Sequence, residues 1–519
     1  MASSHQGASN SETAARALLI GLLCAIPALL CFHSAGGSIA DPDVGWHLRT
    51  GEWILEHHAL PHADPFSRVV GGSAWQAYSW LFDLVLLRFY ASLQLKGLVV
   101  FTAAMMTLIA AAVYHMTSRL QTDLMKRVLL TAGAMTCIAC VGTPRPWLFS
   151  MLFFVLELDI LMAARRAGRN RELLWLPLLF AVWANVHIQF IDGLLMLVLA
   201  ASEPFLARWW KSAVHTPPVR SYLLALTASA GAACLNPYGP AIYRIAWQLG
   251  SQSGVLDTVR ELQALPFRTG SDYLLLFMAL AAAGVLFRFR QLAPFETLML
   301  VMAAVLSFRS RRDLWVMAFT AAAILAAGLP GQADRQETER RPSWAALLTA
   351  LTTAAVFVGS IAWLHLDNAQ LEALLAKKMP VQAVEVIRTR HYTGPLFNTY
   401  DWGGFLLWDL REPVSIDGRA ALYGDARIDR SLKTWNGGPD WSNDPDLKSA
   451  AVIVAPHAAA LTQLLQTDQR FTVAYQDSVA TVFVVRKSES DRANRADIAD
   501  SGQRMTSVTA LPRTPQLPQ

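Results

Sequence analysis

Apolar runs long enough to cross a lipid bilayer recur along this chain of 519 residues. Hydrophobic residues make up 54% of the sequence and charged residues only 16%, below the roughly 25% charged residues of an average soluble domain. The runs are about 16 to 22 residues long, close to the roughly 20 that a helix needs to span the hydrocarbon core. The pattern predicts a polytopic α-helical membrane protein.

Lysine and arginine cluster in five short loops, a pattern typical of the cytoplasmic side of a membrane. The five loops are 119–127, 165–171, 208–220, 288–290 and 335–341. We predict a cytoplasmic N-terminus and about 11 spans, with exterior segments at 34–96, 142–146, 238–270, 309–313 and everything after residue 366. These loops carry much of the net charge of +5, which indicates contact with membrane lipids and is no evidence for nucleic acid.

Two segments near the N-terminus bear on the number of spans. The first apolar run, 17–32, is followed by Ser38-Ile39-Ala40, which could mark a cleaved secretory signal, but its length favours a retained span. Segment 77–91 is nearly long enough to cross the bilayer, yet it carries Asp83 and Arg88. We therefore expect this segment to lie at the interface or to insert only partly.

Composition divides the chain into four parts. Residues 1–13 and 488–519 are polar and lack periodicity, which predicts disorder. Residues 14–366 hold the spans and a first exterior loop, 34–76. Residues 367–487 show short strand and helix patterns in alternation, which predicts an exterior α/β domain. Its expected elements are a helix at 380–390, strands at 395–399, 413–416, 450–455, 471–475 and 479–485, and a helix that starts at His457.

A polar island containing Asp41 and Asp43 follows the first span. Asp43 precedes a helical pattern whose tryptophans share one face, as expected of a helix that lies in the membrane interface. In a purely structural interpretation, Asp43 is an N-cap and Asp41 belongs to a turn. In a functional interpretation, one carboxylate is a general base for an acceptor hydroxyl, and the other orients it or binds a divalent cation.

The first span, the acidic pair in a long exterior loop, the many further spans and the C-terminal exterior domain together resemble the GT-C membrane glycosyltransferases. That group includes protein O-mannosyltransferases, aminoarabinose transferases of lipid A and oligosaccharyltransferase catalytic subunits. A bacterial branch of it is similar at residues 41–51 and 61–67 and at several later motifs. These are Arg145-Pro146, Phe149-Ser150, residues 183–187, Asn236-Pro237-Tyr238-Gly239, residues 400–404 and Ile416-Asp417-Gly418-Arg419.

Some positions in these motifs are glycines or depart from the pattern of that branch. The glycines of 401–404 and 417–419 predict close turns at the ends of elements. The resemblance leads us to expect a tryptophan where Gly45 stands and two glycines at Ile188-Gln189. The resemblance also implies a bacterial inner-membrane protein whose C-terminal domain is periplasmic or extracellular.

The resemblance further implies transfer of a sugar from a polyprenyl-phosphate-linked donor to an acceptor outside the membrane, with Asp41 and Asp43 as catalytic residues. A departing lipid phosphate needs cationic stabilisation, and the arginine fork matches phosphate oxygens. Arg145, Arg311 and Arg312 lie at predicted exterior loop ends and are candidate ligands of the donor phosphate. For Arg311 and Arg312, a headgroup anchor is the alternative role.

Three polar residues are candidates for lining the active cavity, namely His47, Asn185 and His187. Asn185 and His187 form a polar break between apolar stretches, which is tolerated where it is buried in protein or lines a watery cavity. Asp43 is the candidate ligand for a divalent metal, either Mg or Mn. No glycine-rich phosphate loop follows a strand, so we expect no nucleotide cofactor.

A membrane transporter or lipid flippase is the alternative function. Such a protein would show paired halves with interrupted helices in matching positions, and the sequence has no repeat of that kind visible by eye. An enzyme should place Asp41 or Asp43 in a cavity shared with Arg145 and the turn near His187. A transporter should instead have its polar residues near the middle of the membrane.

Overall fold

The computed structural model describes residues 2–168, 170–210, 217–251, 262–289, 293–331, 343–364 and 366–486. The helices of its first part are α1 (Ala2–His33), α2 (Ala35–Ile39), α3 (Val44–His57), α4 (Trp80–Leu93), α5 (Leu95–Leu120), α6 (Leu124–Ile138), α7 (Trp147–Ala167), α8 (Leu176–Val186), α9 (Phe190–Trp209), α10 (Val219–Ala233), α11 (Ala241–Gly250), α12 (Gly270–Phe289), α13 (Pro294–Arg309), α14 (Leu314–Gly328) and α15 (Ser343–Trp363). The predicted disordered tail, 488–519, lies outside the described residues.

Seven helices are long and apolar enough to cross a membrane, counting only the described residues. They are α1, α5, α6 with the 3-10 turn that follows it, α7, α9, α12 and α15. The apolar helices α8, α10, α13 and α14 have 11, 15, 16 and 15 residues. At about 1.5 Å per residue, they are shorter than the roughly 30 Å of the hydrocarbon core. The polytopic helical architecture is confirmed, but the count of 11 spans is not.

Helices α1 and α4 bear on two predictions about the N-terminal region. Helix α1 begins at Ala2, so the structure has a helix where we predicted disorder over residues 1–13. Helix α4 covers most of segment 77–91 and has 14 residues, which at about 1.5 Å each is too short to span the bilayer. Its placement at the interface remains a prediction.

Two of the loops that we predicted to be cytoplasmic, 119–127 and 165–171, lie together at one end of the helices. Arg166 donates hydrogen bonds to the carbonyl oxygens of Arg119 and Leu120 at 2.7 Å, and Gln121 donates to the Leu329 carbonyl at 3.1 Å. The loops around residues 41–43, 145 and 312 meet at the opposite end. The charge pattern therefore grouped these two loops correctly. The other three lie partly or wholly outside the described residues, and the compartment at each end remains a prediction.

The second part of the chain is a small α/β region. Its elements are α16 (Asn368–Leu375), α17 (Val381–Thr389), β1 (Leu396–Asn398), α18 (Tyr400–Asp409), α19 (Ala420–Tyr423), α20 (Asp425–Trp435), α21 (Pro445–Lys448), β2 (Val452–Pro456), α22 (Ala460–Thr467), β3 (Phe471–Gln476) and β4 (Ala480–Val485). The sheet order is β1-β2-β4-β3, with β1 and β2 parallel and the other pairs antiparallel. Phe397 stacks on Trp435 in the core on one face of the sheet.

Two sequence predictions in this region are wrong. The strand expected at 413–416 is only an isolated bridge, in which Val414 pairs with Ser67 of the first exterior loop. The close turn expected at 401–404 is instead the start of α18. The other strands and the helices at 380–390 and after His457 are found within a few residues of their predicted bounds.

Candidate active site between two cavities

Asp41 and Asp43 both bind Arg145, and we call these three residues the acid–arginine triad. Asp41 Oδ1 accepts from Arg145 Nε at 2.7 Å, and Asp43 Oδ2 accepts from Arg145 Nη1. Arg145 lies on the segment before α7 between two prolines, and its guanidinium carbon is 4.9 Å from the Trp147 ring centroid. The prolines fix the backbone and the stacking fixes the side chain, so the cation is held between the two acids.

The local roles of the two acids differ from the structural interpretation of the sequence. Asp43 occupies the N-cap position of α3, but its side chain makes no capping hydrogen bond because it points to Arg145. Asp41 accepts a hydrogen bond from the Asp43 backbone N–H at 3.0 Å, so its carboxylate shapes the turn before the helix. Asp41 therefore shapes the turn, whereas the side chain of Asp43 makes no cap and lines the cavities.

Two cavities meet at the acid–arginine triad. The first has a volume of about 380 Å³ and the second about 580 Å³. Five residues line both cavities, namely Asp43, Arg145, Trp147, Arg312 and Tyr400. Asp41 lines only the second cavity. Asp43 and Arg145 are therefore within reach of a molecule in either space.

The second cavity is rich in cationic side chains. Arg311 and Arg312, on a 3-10 turn between α13 and α14, line it together with Arg145 and Lys378. Lys378 precedes α17, so the C-terminal region contributes part of this wall. Clustered Arg and Lys side chains suit a phosphate group, because they offer charge-assisted hydrogen bonds to its oxygens.

The first cavity has a mixed polar lining that includes buried atoms without hydrogen-bond partners. Negatively charged carboxylates and positively charged arginines line it, among them Asp192, Asp313, Arg309 and Arg419. Of the lining atoms that the structure describes, five are buried and unpartnered: Trp46 Nε1, Ser79 Oγ, Asp83 Oδ2, Gln189 Oε1 and Ser310 Oγ. Buried polar atoms in folded proteins are normally satisfied. These donors and acceptors suit a hydroxyl-rich ligand or ordered water.

His47 and Asp83 form a buried pair in the first cavity. His47 Nδ1 lies 2.5 Å from Asp83 Oδ1, and the ring stacks on Trp46 and meets Phe82 edge to face. Burial lowers the pKa of His47, and Arg145 and His187 lower it further. Sequence analysis treated Asp83 only as an argument against a span. A carboxylate within an apolar helix is itself an indication of function.

His187 and Asn185 have different roles, although they are two residues apart. His187 lines the first cavity, and its Nδ1 lies 2.7 Å from Ser150 Oγ, which also accepts from Trp183 Nε1 at 2.8 Å. Asn185 lines neither cavity, which corrects our prediction. Its oxygen accepts from Trp80 Nε1 at 3.0 Å and its amide donates to the Leu235 carbonyl at 2.8 Å, so it joins three segments.

Arg419 is a wall residue of the first cavity that sequence analysis interpreted as part of a turn. It donates to both oxygens of Asp417 and, through Nη1, to Asp64 Oδ1 at 2.6 Å. Its guanidinium carbon also lies 4.8 Å from the centroid of one Trp75 ring. The two carboxylates raise the pKa of Arg419 despite its burial. This network fixes the C-terminal region to the first exterior loop.

Glycines allow that region to approach the catalytic loop closely. A Cβ atom on Gly418 would overlap the Asp43 carboxylate, and one on Gly404 would overlap the Pro42 carbonyl oxygen. A side chain at position 45 would collide with the Gly404 carbonyl. This contact explains why Gly45 stands where the resemblance led us to expect a tryptophan.

The residues present do not supply a cage for a divalent cation. Among the described residues, no three His, Cys, Asp or Glu side chains are grouped as metal ligands would be. The Arg145 guanidinium also lies between Asp41 and Asp43, where a bridging cation would otherwise bind. Asp43 binds Arg145 and belongs to no such group among the described residues, so the residues present do not fit a divalent metal at Asp43.

Solved structures of an oligosaccharyltransferase from Archaeoglobus fulgidus are similar to this chain. The apo form has a TM-score of 0.53 at 10% identity, covering 91% of this chain and 75% of that one. The complex with zinc and sulfate has a TM-score of 0.53 at 11% identity, with coverage of 84% and 68%. This chain shares their fold. The resemblance to GT-C glycosyltransferases stated from the sequence is thus confirmed for the fold.

A further solved structure is less similar. ArnT from Cupriavidus metallidurans, bound to undecaprenyl phosphate, has a TM-score of 0.46 at 13% identity, covering 90% of this chain and 98% of that one. No protein-family model and no curated protein matches the sequence. The function must therefore be argued from the site itself.

Proposed function

We propose that this protein is a glycosyltransferase that moves a sugar from a polyprenyl-phosphate-linked donor to an acceptor at the membrane surface. The observation that carries this proposal is the position of Asp43 and Arg145, which line both cavities. A transfer between two substrates needs a point where both meet in line, and holding them there lowers the entropic part of the barrier. The triad is such a point.

The second cavity is the proposed site of the donor phosphate. Arg311, Arg312 and Lys378 would bind the phosphate oxygens as the bond to the sugar breaks, because negative charge develops on the leaving group. Arg145 is less free for this task than we expected from the sequence, since both acids of the triad bind it. Its main role would be to fix Asp41 and Asp43.

Asp43 is the proposed catalytic carboxylate, and Asp41 positions it. A sugar that loses its leaving group gains positive charge at the anomeric carbon, as in glycoside hydrolysis. The Asp43 carboxylate, at the junction of the cavities, would stabilise that charge. Asp41 holds Arg145 and the Asp43 backbone, so it acts through its neighbours.

The transporter or flippase alternative predicted polar residues near mid-membrane rather than a shared surface cavity. Asp43, Arg145 and His187 line one cavity, which supports an enzyme over a transporter. We propose that this cavity faces the periplasm or exterior, with a cytoplasmic N-terminus, because the arginine-rich loops lie at the other end. Membrane lipids and the lipid-linked donor are the proposed partners.

Purified full-length protein in lipid nanodiscs provides the test. A panel of radiolabelled polyprenyl-phosphate-linked hexoses and pentoses is offered together with a membrane extract, and labelled protein, lipid and polysaccharide are separated. Release of polyprenyl phosphate shows donor use, and the labelled fraction identifies the acceptor class. Parallel reactions with a chelator and with added Mg or Mn test the metal requirement.

The variants Asp43→Asn and Asp41→Asn test the assignment of residues. We expect Asp43→Asn to lower transfer by about 10² to 10³-fold, because one preorganised charge is lost at the reacting centre. Asp429→Asn is a matched control, since Asp429 is half exposed in α20 and pairs with the exposed Lys433. Full activity in both triad variants would overturn the assignment.

A further inference from the structure

The His47–Asp83 pair lies on the wall of the first cavity and has no role in the transfer described above. Both side chains are almost fully buried, at 3% and 1% exposure. His47 is on α3, one helical turn after Asp43, and Asp83 is on α4. Residues one turn apart share a helix face, so His47 is presented to the same space as the catalytic carboxylate.

We infer that the acceptor is a hydroxyl compound and that its proton leaves through His47 to Asp83 during transfer. This inference rests on the proposed function and names the substrate class of the same site. It differs from the sequence expectation, in which Asp41 or Asp43 was the general base.

The geometry of the imidazole supports a relay. Nδ1 is engaged by Asp83, and Nε2 has no hydrogen-bond partner among the residues that the structure describes. The ring is held between Trp46, at a centroid distance of 3.6 Å, and Phe82, at 4.8 Å. A fixed ring that lines the cavity keeps Nε2 available to a hydroxyl bound beside Asp43.

Asp83 is suited to receive the proton. Its Oδ1 contacts His47 and its buried Oδ2 has no partner among the described residues. Burial raises the pKa of Asp83 well above its ordinary value, while the pKa of His47 is lowered. The proton therefore comes to rest on the carboxylate, and no imidazolium ion is needed. The titratable and charged groups that face the pair are Asp43, Arg145, His187, Tyr78 and Tyr238.

The acceptor O–H bond breaks as its oxygen forms a bond to the anomeric carbon, and the bond from that carbon to the phosphate oxygen breaks. The acceptor proton binds His47 Nε2, and the Nδ1 proton passes to Asp83. The electron pair of the broken bond leaves on polyprenyl phosphate in the second cavity. Release of the proton to water restores the pair.

A general base is needed when the molecule that receives the sugar offers a hydroxyl group, but not when it offers a phosphate. A hydroxyl oxygen must lose its proton as it forms the glycosidic bond, so a base lowers the barrier. A phosphate acceptor already carries ionised oxygens at neutral pH and needs no base. A buried base one turn from Asp43 therefore favours hydroxyl-bearing molecules in the first cavity.

Transfer to octyl glycoside, as the hydroxyl probe, and to decyl phosphate tests the inference in nanodiscs. In Asp83→Asn the amide would donate to Nδ1 and force the proton onto Nε2, so we expect transfer to octyl glycoside to fall by about 10² to 10⁴-fold with little change in KM. His47→Gln should behave alike. His62→Gln, at an exposed histidine of the same loop, is the control.

Nitrogen-15 NMR of histidine-labelled protein in bilayers gives a readout that does not depend on turnover. Above the raised pKa of Asp83, His47 should be protonated at Nδ1 in the wild type and at Nε2 in Asp83→Asn. The rate should rise with pH through the raised pKa of Asp83, and this rise should disappear in Asp83→Asn. The rate rises rather than falls with pH because the Asp83 carboxylate must be ionised to accept a proton.

The outcomes separate this inference from the proposed function. Full activity of Asp83→Asn on octyl glycoside, with Asp43→Asn inactive, would overturn the relay and leave the glycosyltransferase proposal standing. Wild-type transfer to decyl phosphate alone would overturn the substrate class. A wild type that releases polyprenyl phosphate from no donor would overturn the proposed function and the relay with it.

Discussion

Arg419 donates a hydrogen bond of 2.6 Å to Asp64, a residue 355 positions earlier in the chain. The two side chains are 3% and 0% exposed, and Asp417 completes the network. The bridge between Ser67 and Val414 lies beside it. The first exterior loop and the C-terminal region therefore form one wall of the first cavity.

Asp64→Asn should destabilise this wall by about 3 to 5 kcal/mol, because a buried ion pair that loses one partner leaves a charge without full compensation. We expect a lower melting temperature and faster proteolysis after residue 366. Glu385→Gln, in a pair with Arg388 in which both side chains are more than half exposed, is the control and should change stability by less than about 1 kcal/mol. Equal effects of the two variants would show that the buried pair contributes little.

Gly418→Ala should lower transfer activity by about 10²-fold, since the new methyl group would displace the Asp43 carboxylate from its place beside Arg145. The matched change is Gly359→Ala in α15, where no described residue outside the local helix backbone lies within 4 Å of the added carbon. That variant should keep wild-type activity. Wild-type turnover by Gly418→Ala in the nanodisc assay would show that transfer does not depend on the exact position of the Asp43 carboxylate.

His187 should make the wild type less stable as the pH falls below about 6.5, the ordinary pKa of histidine. Burial, with Arg312, lowers the pKa of His187 to about 3, so below pH 6.5 the unfolded chain binds a proton that the folded protein does not. His187→Gln should reduce this loss by up to about 1.4 kcal/mol per pH unit. Melting temperatures from pH 7.5 to 5 measure it, and His58→Gln, at an exposed site, should leave the slope unchanged.

The topology can be tested with single cysteines in a background that lacks the five native ones. Gln466→Cys, exposed on α22, should react with a membrane-impermeant maleimide added to intact cells. Arg171→Cys lies at the end with the arginine-rich loops and should react only after permeabilisation. Reaction of both from the same side would contradict the predicted orientation.

Sequence reasoning located helix α3 and the residues that share the first cavity because these depend on local signals. A hydrophobic period predicts a helix, and loop charges predict which ends lie together. Two of the candidate cavity residues, His47 and His187, line the first cavity, and their catalytic role remains a prediction. Pairings between distant positions have no such signal in a single sequence.

Asp83 and Arg419 are two cavity residues whose positions were not predicted from the sequence. Asp83 was interpreted only as an argument against a span and Arg419 as part of a turn, although both are buried members of the cavity wall. Their partners, His47 and Asp64, lie 36 and 355 residues away. The glycines at 404 and 418 were likewise interpreted as turns, because close backbone contact with a distant segment cannot be deduced from spacing alone.

The long-range closure of the cavity also determines when the site can first exist during synthesis. The candidate membrane spans all precede residue 364, but Asp64 meets Arg419 only after the segment beyond residue 409 has emerged. Until then, the first cavity lacks the wall that Gly418 and Arg419 provide. A nascent chain or a C-terminally truncated product would hold the acid–arginine triad in an open, incomplete cavity. The complete site therefore forms only near the end of synthesis.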